Sequence, residues 1–360
     1  MTRLERLRGK MSDTNTDLIV LAPGAHMRWL MGFMPHPDER ACLLLIGRDA
    51  AGFVMPALNA GDARQHTDLP FWEWRDDDGP DSALDEALKK ICPQPRSVSV
   101  DETMRADHAL LLLDAVPNVA RSFAGDTLGA LRMIKDASEL EALEKNARIA
   151  DAAQTALRAA IRAGITESDL AEVAKTCFAE HGSRVAFSIV GTGAHSSYPH
   201  HHTGDTAVRA GDAIVVDIGG TVDGYFSDIT RMACLGEPPE GYDEVHAVVD
   251  AAVQAALAVI RPGVEARAVD KAARDVITDA GYGPYFTHRT GHGLGSEVHE
   301  PPYITATNAQ ILEEGMVFTV EPGIYLPGRF GVRLEEVAVV TSDGCRILSG
   351  LSRDPFIAPA

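Results

Sequence analysis

Long apolar runs are missing from this chain. No stretch approaches the ~18–20 residues needed to span a bilayer, and Met1 to Lys10 is polar and charged where a secretory leader would be hydrophobic. Cysteine is sparse. Cys42, Cys92, Cys177, Cys234 and Cys345 stand singly with no C-x-x-C pair, which argues against a disulfide framework and a zinc–cysteine site. Reduced, mostly buried thiols in a cytoplasmic protein are the expectation. Positive charge is also short: 33 Lys and Arg face 52 Asp and Glu, a formal net charge of −19. A field of that sign repels phosphate backbones and excludes nucleic acid as the main partner, just as the missing runs exclude a membrane role. What the chain does have is length and apolar mass. Its 360 residues with 45% hydrophobic content are enough for two domains, each with its own core.

The pattern divides near residue 133. Before it, a charged amphipathic helix over 4–10 precedes short apolar runs at 18–21, 41–46 and 97–100, with a helical segment over 84–91. Strands alternating with helices predict a small α/β domain over 1–133. The second domain, 134–360, opens on Asp136 followed by Glu139, a capping-box signal. Leu140, Leu143, Ala147, Ala150, Ala153, Leu157 and Ile161 then recur at threes and fours, one apolar face of a long helix ending near Gly164. A second helix is capped by Thr166 and runs to about His181, and further helices are expected over 244–260 and 265–280. Strands are predicted from Val185, over 213–218 ending at Gly219-Gly220, over 225–232, and over 317–325 and 332–340. Two helix pairs tied to sheet segments suggest an internal pseudo-repeat, although no self-similar sequence accompanies it.

Carboxylates interrupt this apolar pattern in the second half. Asp217 follows the run AIVV, and Asp228 lies beyond the turn at Gly224. Two aspartates near turns are ordinarily solvent-facing, but a carboxylate after four apolar residues needs a partner or a metal if it is buried. His292 lies within GHGLG, between His288 and His299; alone, that pattern favours a glycine turn that happens to hold a histidine over a ligand loop. Glu321 closes VFTVE and Glu335 lies in VRLEE. Asp217, Asp228, Glu321, Glu335 and His292, all placed at strand ends, make an oxygen-rich donor set with one imidazole and no thiolate. That set suits a pair of divalent ions.

The ordered segments DIGG, SDITR, GHGLG, VHEPP, VEPGIY and GVRLEE resemble the pita-bread metallopeptidases, the group of aminopeptidase P, prolidase, creatinase and methionine aminopeptidase, and within it the Xaa-Pro peptidases. RLERLRGKM and RWLMGF resemble that group's creatinase-type amino-terminal domain, so the likeness covers nearly the whole chain. The resemblance implies a two-domain α/β architecture: a small creatinase-type α/β domain, then a pita-bread α+β domain with a curved antiparallel sheet and two helix pairs. It implies two divalent metal ions, manganese first, with cobalt or zinc as alternatives. Asp217 would bind one ion, His292 and Glu321 the other, and Asp228 and Glu335 both. A hydroxide between the ions would be the nucleophile and Glu321 the general base. His200 and His299 would steady the substrate and the tetrahedral intermediate. His288 would line the proline pocket, and Arg333 would pin the bridging carboxylates. His201 and His202 are expected to be polar loop residues, and His195 is assigned no role. A homodimer is also implied.

The activity implied is hydrolysis of the amide bond before proline in short peptides, as a prolidase-like dipeptidase. Removal of the first residue from longer Xaa-Pro peptides, as in aminopeptidase P, is the alternative, with creatinase-like C–N hydrolysis behind it. Phe187, Tyr225, Tyr303 and Tyr325 are candidates for the apolar wall. A strict dipeptidase must also hold its substrate's free carboxylate, usually with Arg. Residues 300–320, where prolidases carry that Arg, contain no Arg or Lys. Arg289 or the loop from Pro35 to Arg40 could replace it.

Overall fold

A computed structural model describes all residues from Met1 to Ala360, which fall into two compact units, Met1–Arg132 and Met133–Ala360. The first unit is a six-stranded mixed sheet. Its strands are β1 (Leu18–Leu21), β2 (Leu43–Gly47), β3 (Ala51–Pro56), β4 (Phe71–Trp74), β5 (Ser97–Val100) and β6 (Ala120–Phe123), in the order β4-β3-β2-β1-β5-β6. The run LIVL is apolar at every position because both faces are covered. Leu18 and Val20 join the core under the helix Asp81–Ile91, whereas Ile19 and Leu21 join the core under the helix Arg3–Asp13.

The second unit holds two five-stranded sheets and a hairpin. In one sheet β7 (Arg184–Thr192) and β10 (Ile229–Leu235) flank β8 (Ala213–Val222), β18 (Phe356–Ala358) closes the edge, and β9 (Tyr225–Phe226) pairs with the end of β8. The other runs β12 (Glu300–Ile304), β11 (Gly291–Gly293), β13 (Val317–Val320), β16 (Glu336–Val340), β17 (Cys345–Ile347). The hairpin joins β14 (Gly323–Leu326) to β15 (Phe330–Arg333).

Each helix pair covers one part of this framework. The helix Ala137–Ala160 starts on a capping box in which Asp136 accepts the Glu139 amide and Glu139 accepts the Asp136 amide. With Glu167–Glu180 it packs Ala150, Ala153, Leu157, Leu170 and Phe178 onto Val190, Ile214, Val216 and Ile218. The pair Tyr242–Val259 and Ala266–Asp279 packs Val249, Val253, Val269 and Ala273 onto Val215, Phe318, Val320 and Ala338. Strand alternation in β8 therefore serves two cores: Ile214, Val216 and Ile218 face one helix pair, and Ala213 and Val215 face the other. Asp217 continues the second series.

Candidate functional site

Asp217 pairs directly with Thr230 across β8 and β10. Asp228 precedes Thr230 by two positions and lies in the break between β9 and β10, so these three side chains share a parity. The Glu335 amide donates to the Thr230 carbonyl at 3.3 Å, which brings in the break between β15 and β16 where Glu335 sits. On the other sheet, Glu321 follows β13 immediately and His292 is the middle residue of β11. Glycine flanks His292 because the neighbouring backbone lies against it. A Cβ on Gly291 would come within 1.8 Å of the Thr319 carbonyl oxygen, and one on Gly293 within 2.3 Å of that of Pro301.

Two threonines order these ligand candidates. Thr319 Oγ1 accepts the His292 amide at 3.0 Å and donates to Glu321 Oε1 at 3.2 Å. Thr230 Oγ1 accepts Arg333 Nε at 3.2 Å and donates to Glu335 Oε2 at 2.9 Å. Arg333 also donates to Asp217 Oδ2 at 2.6 Å, the Tyr325 hydroxyl at 2.8 Å and the Pro199 carbonyl at 3.2 Å. Each acid is thereby tied by one oxygen and left open at the other: Asp217 Oδ1 and Glu335 Oε1 are buried without a hydrogen-bond partner. His292 is arranged similarly. Its Nδ1 donates to the Gly293 carbonyl at 3.2 Å, which leaves Nε2 aimed at Glu321 Oε1, 3.2 Å away, and Asp228 Oδ2, 3.7 Å away.

The electrostatics suit a cation. Burial, reinforced by the charges of Glu335, Asp217 and Glu321, pushes the Asp228 carboxyl well above its ordinary range. Burial and the charges of Glu321 and Asp217 do the same to Glu335. Burial opposes ionisation of Glu321 as well, but the hydrogen bond and charge of His292 outweigh it and bring that carboxyl down to about 2. Asp228, His292 and Glu335 each offer a ligand atom within 4.8 Å of the others. Orphaned buried oxygens, crowded carboxylates and an imidazole nitrogen oriented by its own backbone bond fit divalent ions.

The centre lies in the wall of a cavity of about 660 Å³, lined by Asp217, Asp228, His292, Glu321 and Glu335. His200, His288, His299, Arg289 and Arg333 line it too, so the five ligand candidates, the three histidines assigned to the substrate and Arg333 meet there. The His299 ring stands edge-on to His292 with centroids 4.1 Å apart, and burial together with His292 and Arg289 lowers its pKa to about 4. It is therefore a neutral imidazole near neutral pH. His288 accepts at Nε2 from the Tyr325 hydroxyl, 2.8 Å away, and donates from Nδ1 to the Arg289 carbonyl at 2.7 Å. With both nitrogens committed, it offers the cavity only its ring.

Several expectations need correction. Asp217 and His292 are not at strand ends: β8 continues through Gly219-Gly220 to Val222, and β11 runs through His292. The glycines permit this, since Phe187 packs where a Cβ on Gly219 would lie. The strands expected over 225–232, 317–325 and 332–340 are each broken, at Asp228, Glu321 and Glu335 respectively. Of the proposed apolar wall only Phe187 faces the cavity, joined by Ile189 and Val298. Tyr225 donates instead to Glu139, Tyr303 lies under Arg289, and Tyr325 is part of the Arg333 network. His201 and His195 are not idle loop residues. Both hydrogen-bond the fully buried Glu167 carboxylate, at 2.8 and 3.0 Å, which also accepts the Thr192 and Gly204 amides. Glu167 thus fastens both ends of the segment that carries His200. No local signal marks it: in sequence Glu167 is one first-turn acid of a capped helix, and its partners His195 and His201 lie beyond the following strand.

Residues 141–342 match metallopeptidase family M24, and residues 3–134 match the Creatinase/Prolidase N-terminal domain. The chain is similar to the probable dipeptidase PepE of Mycobacterium tuberculosis, with 38% identity over 364 residues, 99% of this chain and 96% of that protein. It is also similar to the Xaa-Pro dipeptidase of Lactobacillus helveticus, with 32% identity covering 99% of each. The crystal structure of a recombinant prolidase from Thermococcus sibiricus superposes with a TM-score of 0.93 at 31% identity, over 99% of this chain and 98% of that one.

Proposed function

The chain belongs to metallopeptidase family M24, and from that premise we propose that it is a metal-dependent dipeptidase hydrolysing the amide bond before proline. The observation that carries this is the convergence of four buried or half-buried carboxylates and one imidazole, with open ligand atoms, on one cavity. Asp217 would hold one divalent ion, His292 and Glu321 a second, and Asp228 and Glu335 both. Manganese is the first candidate, with cobalt or zinc behind it. Ions bound there would polarise the scissile carbonyl and acidify water.

The protein's own groups do the rest. Glu321, ionised beside His292, accepts the proton from water and returns it to the departing proline nitrogen. His299, neutral, and His200 on the same wall donate to the oxygen that gains charge as the carbonyl carbon becomes tetrahedral. Arg333 holds Asp217 and, through Thr230, Glu335 in place. Phe187, Ile189, Val298 and the His288 ring give the proline side an apolar wall with no demand for an N–H, which proline lacks.

A cytoplasmic, homodimeric enzyme is part of the proposal. The five free thiols support the first attribute, and family likeness supports the second. The test is hydrolysis of Xaa-Pro and of Xaa-Pro-Xaa-Xaa peptides by protein loaded in turn with manganese, cobalt and zinc. Metal-dependent cleavage of the dipeptide, lost in E321Q, is expected. Comparable cleavage of the longer peptides would make the protein an aminopeptidase instead, and no cleavage of either would defeat the reading.

A further inference from the structure

Two guanidinium groups line the cavity, and only one is spoken for. Arg333 is spent on Asp217, Thr230, Tyr325 and Pro199. The Arg289 guanidinium makes no hydrogen bond or ion pair; its contact is with the Tyr303 ring, 4.7 Å from the centroid. Its planar fork of donors is thus left open in a cavity whose other fixed charges are mostly acidic. The alternative read from sequence, the Pro35–Arg40 loop, has no such freedom. Arg40 donates to both oxygens of Asp76, at 2.8 and 3.0 Å, and to Glu39 at 2.8 Å.

Arg289 is also held in register with the metal ligands. Asp217 accepts from Arg333, which donates to the Tyr325 hydroxyl, which donates to His288, which in turn donates to the Arg289 carbonyl. A continuous set of side chains therefore spaces the backbone of Arg289 from the reacting centre. A dipeptide places a carboxylate one residue beyond its scissile carbonyl, and an open guanidinium takes a carboxylate in a bidentate pair.

We propose that Arg289, braced by Tyr303, receives the free carboxylate of the substrate's C-terminal residue and so restricts the enzyme to dipeptides. The inference rests on the peptidase reading above and adds a subsite to it. The test compares Leu-Pro with Leu-prolinamide, which differ only in that negative charge, for wild type, R289M and R289K at equal metal occupancy. In wild type the acid should be preferred by kcat/KM. In R289M that preference should shrink roughly 10–100-fold, mainly through KM, the scale of charge-assisted hydrogen bonds; R289K, which keeps the charge but not the fork, should fall between. An acid-to-amide ratio unchanged in R289M overturns the subsite. Wild type that cleaves neither compound defeats the peptidase reading instead, and the subsite is then judged by calorimetry with N-acetylproline and its amide. Weaker binding of the acid alone in R289M supports it, and equal binding overturns it.

Discussion

Arg333 Nη2 lies 2.6 Å from Asp217 Oδ2 although the two residues are 116 apart in sequence, and both side chains are shielded from water. Removing the cation would strand a buried carboxylate, at a cost of about 3–5 kcal/mol. We expect R333M to lower the melting temperature and to reduce metal bound per chain, read by mass spectrometry of elements. R333K should not rescue turnover, because an ammonium cannot reach Asp217, Thr230, Tyr325 and Pro199 together.

The raised carboxyls predict an unusual pH response. Asp228 and Glu335, held well above their ordinary ranges by burial and by neighbouring acids, retain protons in the metal-stripped fold that the unfolded chain has released. Their contribution to stability is therefore present below the unfolded values of 3.8 and 4.5 and fades as pH rises through the folded ones. Cations replace those protons, so the rise in melting temperature on adding manganese should grow with pH. A metal-induced shift that is flat from mildly acidic to neutral pH would contradict this assignment.

Glu167 touches neither cavity nor ligand, yet it should matter to turnover. E167Q turns one accepting oxygen into a donor that faces backbone amides and histidines, at a cost on the order of 2 kcal/mol. Stopped assays should show kcat falling more than KM, because the segment carrying His200 loosens while the proline wall stays. A stability loss with unchanged kcat would assign Glu167 to the fold alone.

Gly291 tolerates no side chain. In G291A the methyl would meet the Thr319 carbonyl oxygen at 1.8 Å, so β11 must part from β13 and carry His292 with it. Loss of metal, measured by dialysis against radiolabelled manganese, is expected even if the variant remains soluble.

Much of this was readable in one dimension. Caps at Asp136 and Thr166 are local chemistry, and the side chains that bear them sit within a few residues of what they bond. The acids Asp217, Glu321 and Glu335 announce themselves by ending or breaking apolar runs. What stayed hidden depends on partners far along the chain. Thr230 and Thr319 read as ordinary strand residues until their hydroxyls meet Glu335 and Glu321. Tyr325 looks like an apolar wall until its hydroxyl is found between Arg333 and His288. Glu167 could not be told from an exposed first-turn acid, because its burial is set by a loop more than twenty residues away.

Strand β8 has one further implication. Its even positions, Ile214, Val216 and Ile218, are clasped beneath the first helix pair, so Asp217 can only point the other way. Sliding the ribbon by a single residue would swing the acid into grease and present an isoleucine to the cations, leaving an intact-looking shell unable to load. Insertions or deletions anywhere between Ala213 and Asp217 should therefore silence the protein more completely than replacing any one of those apolar residues.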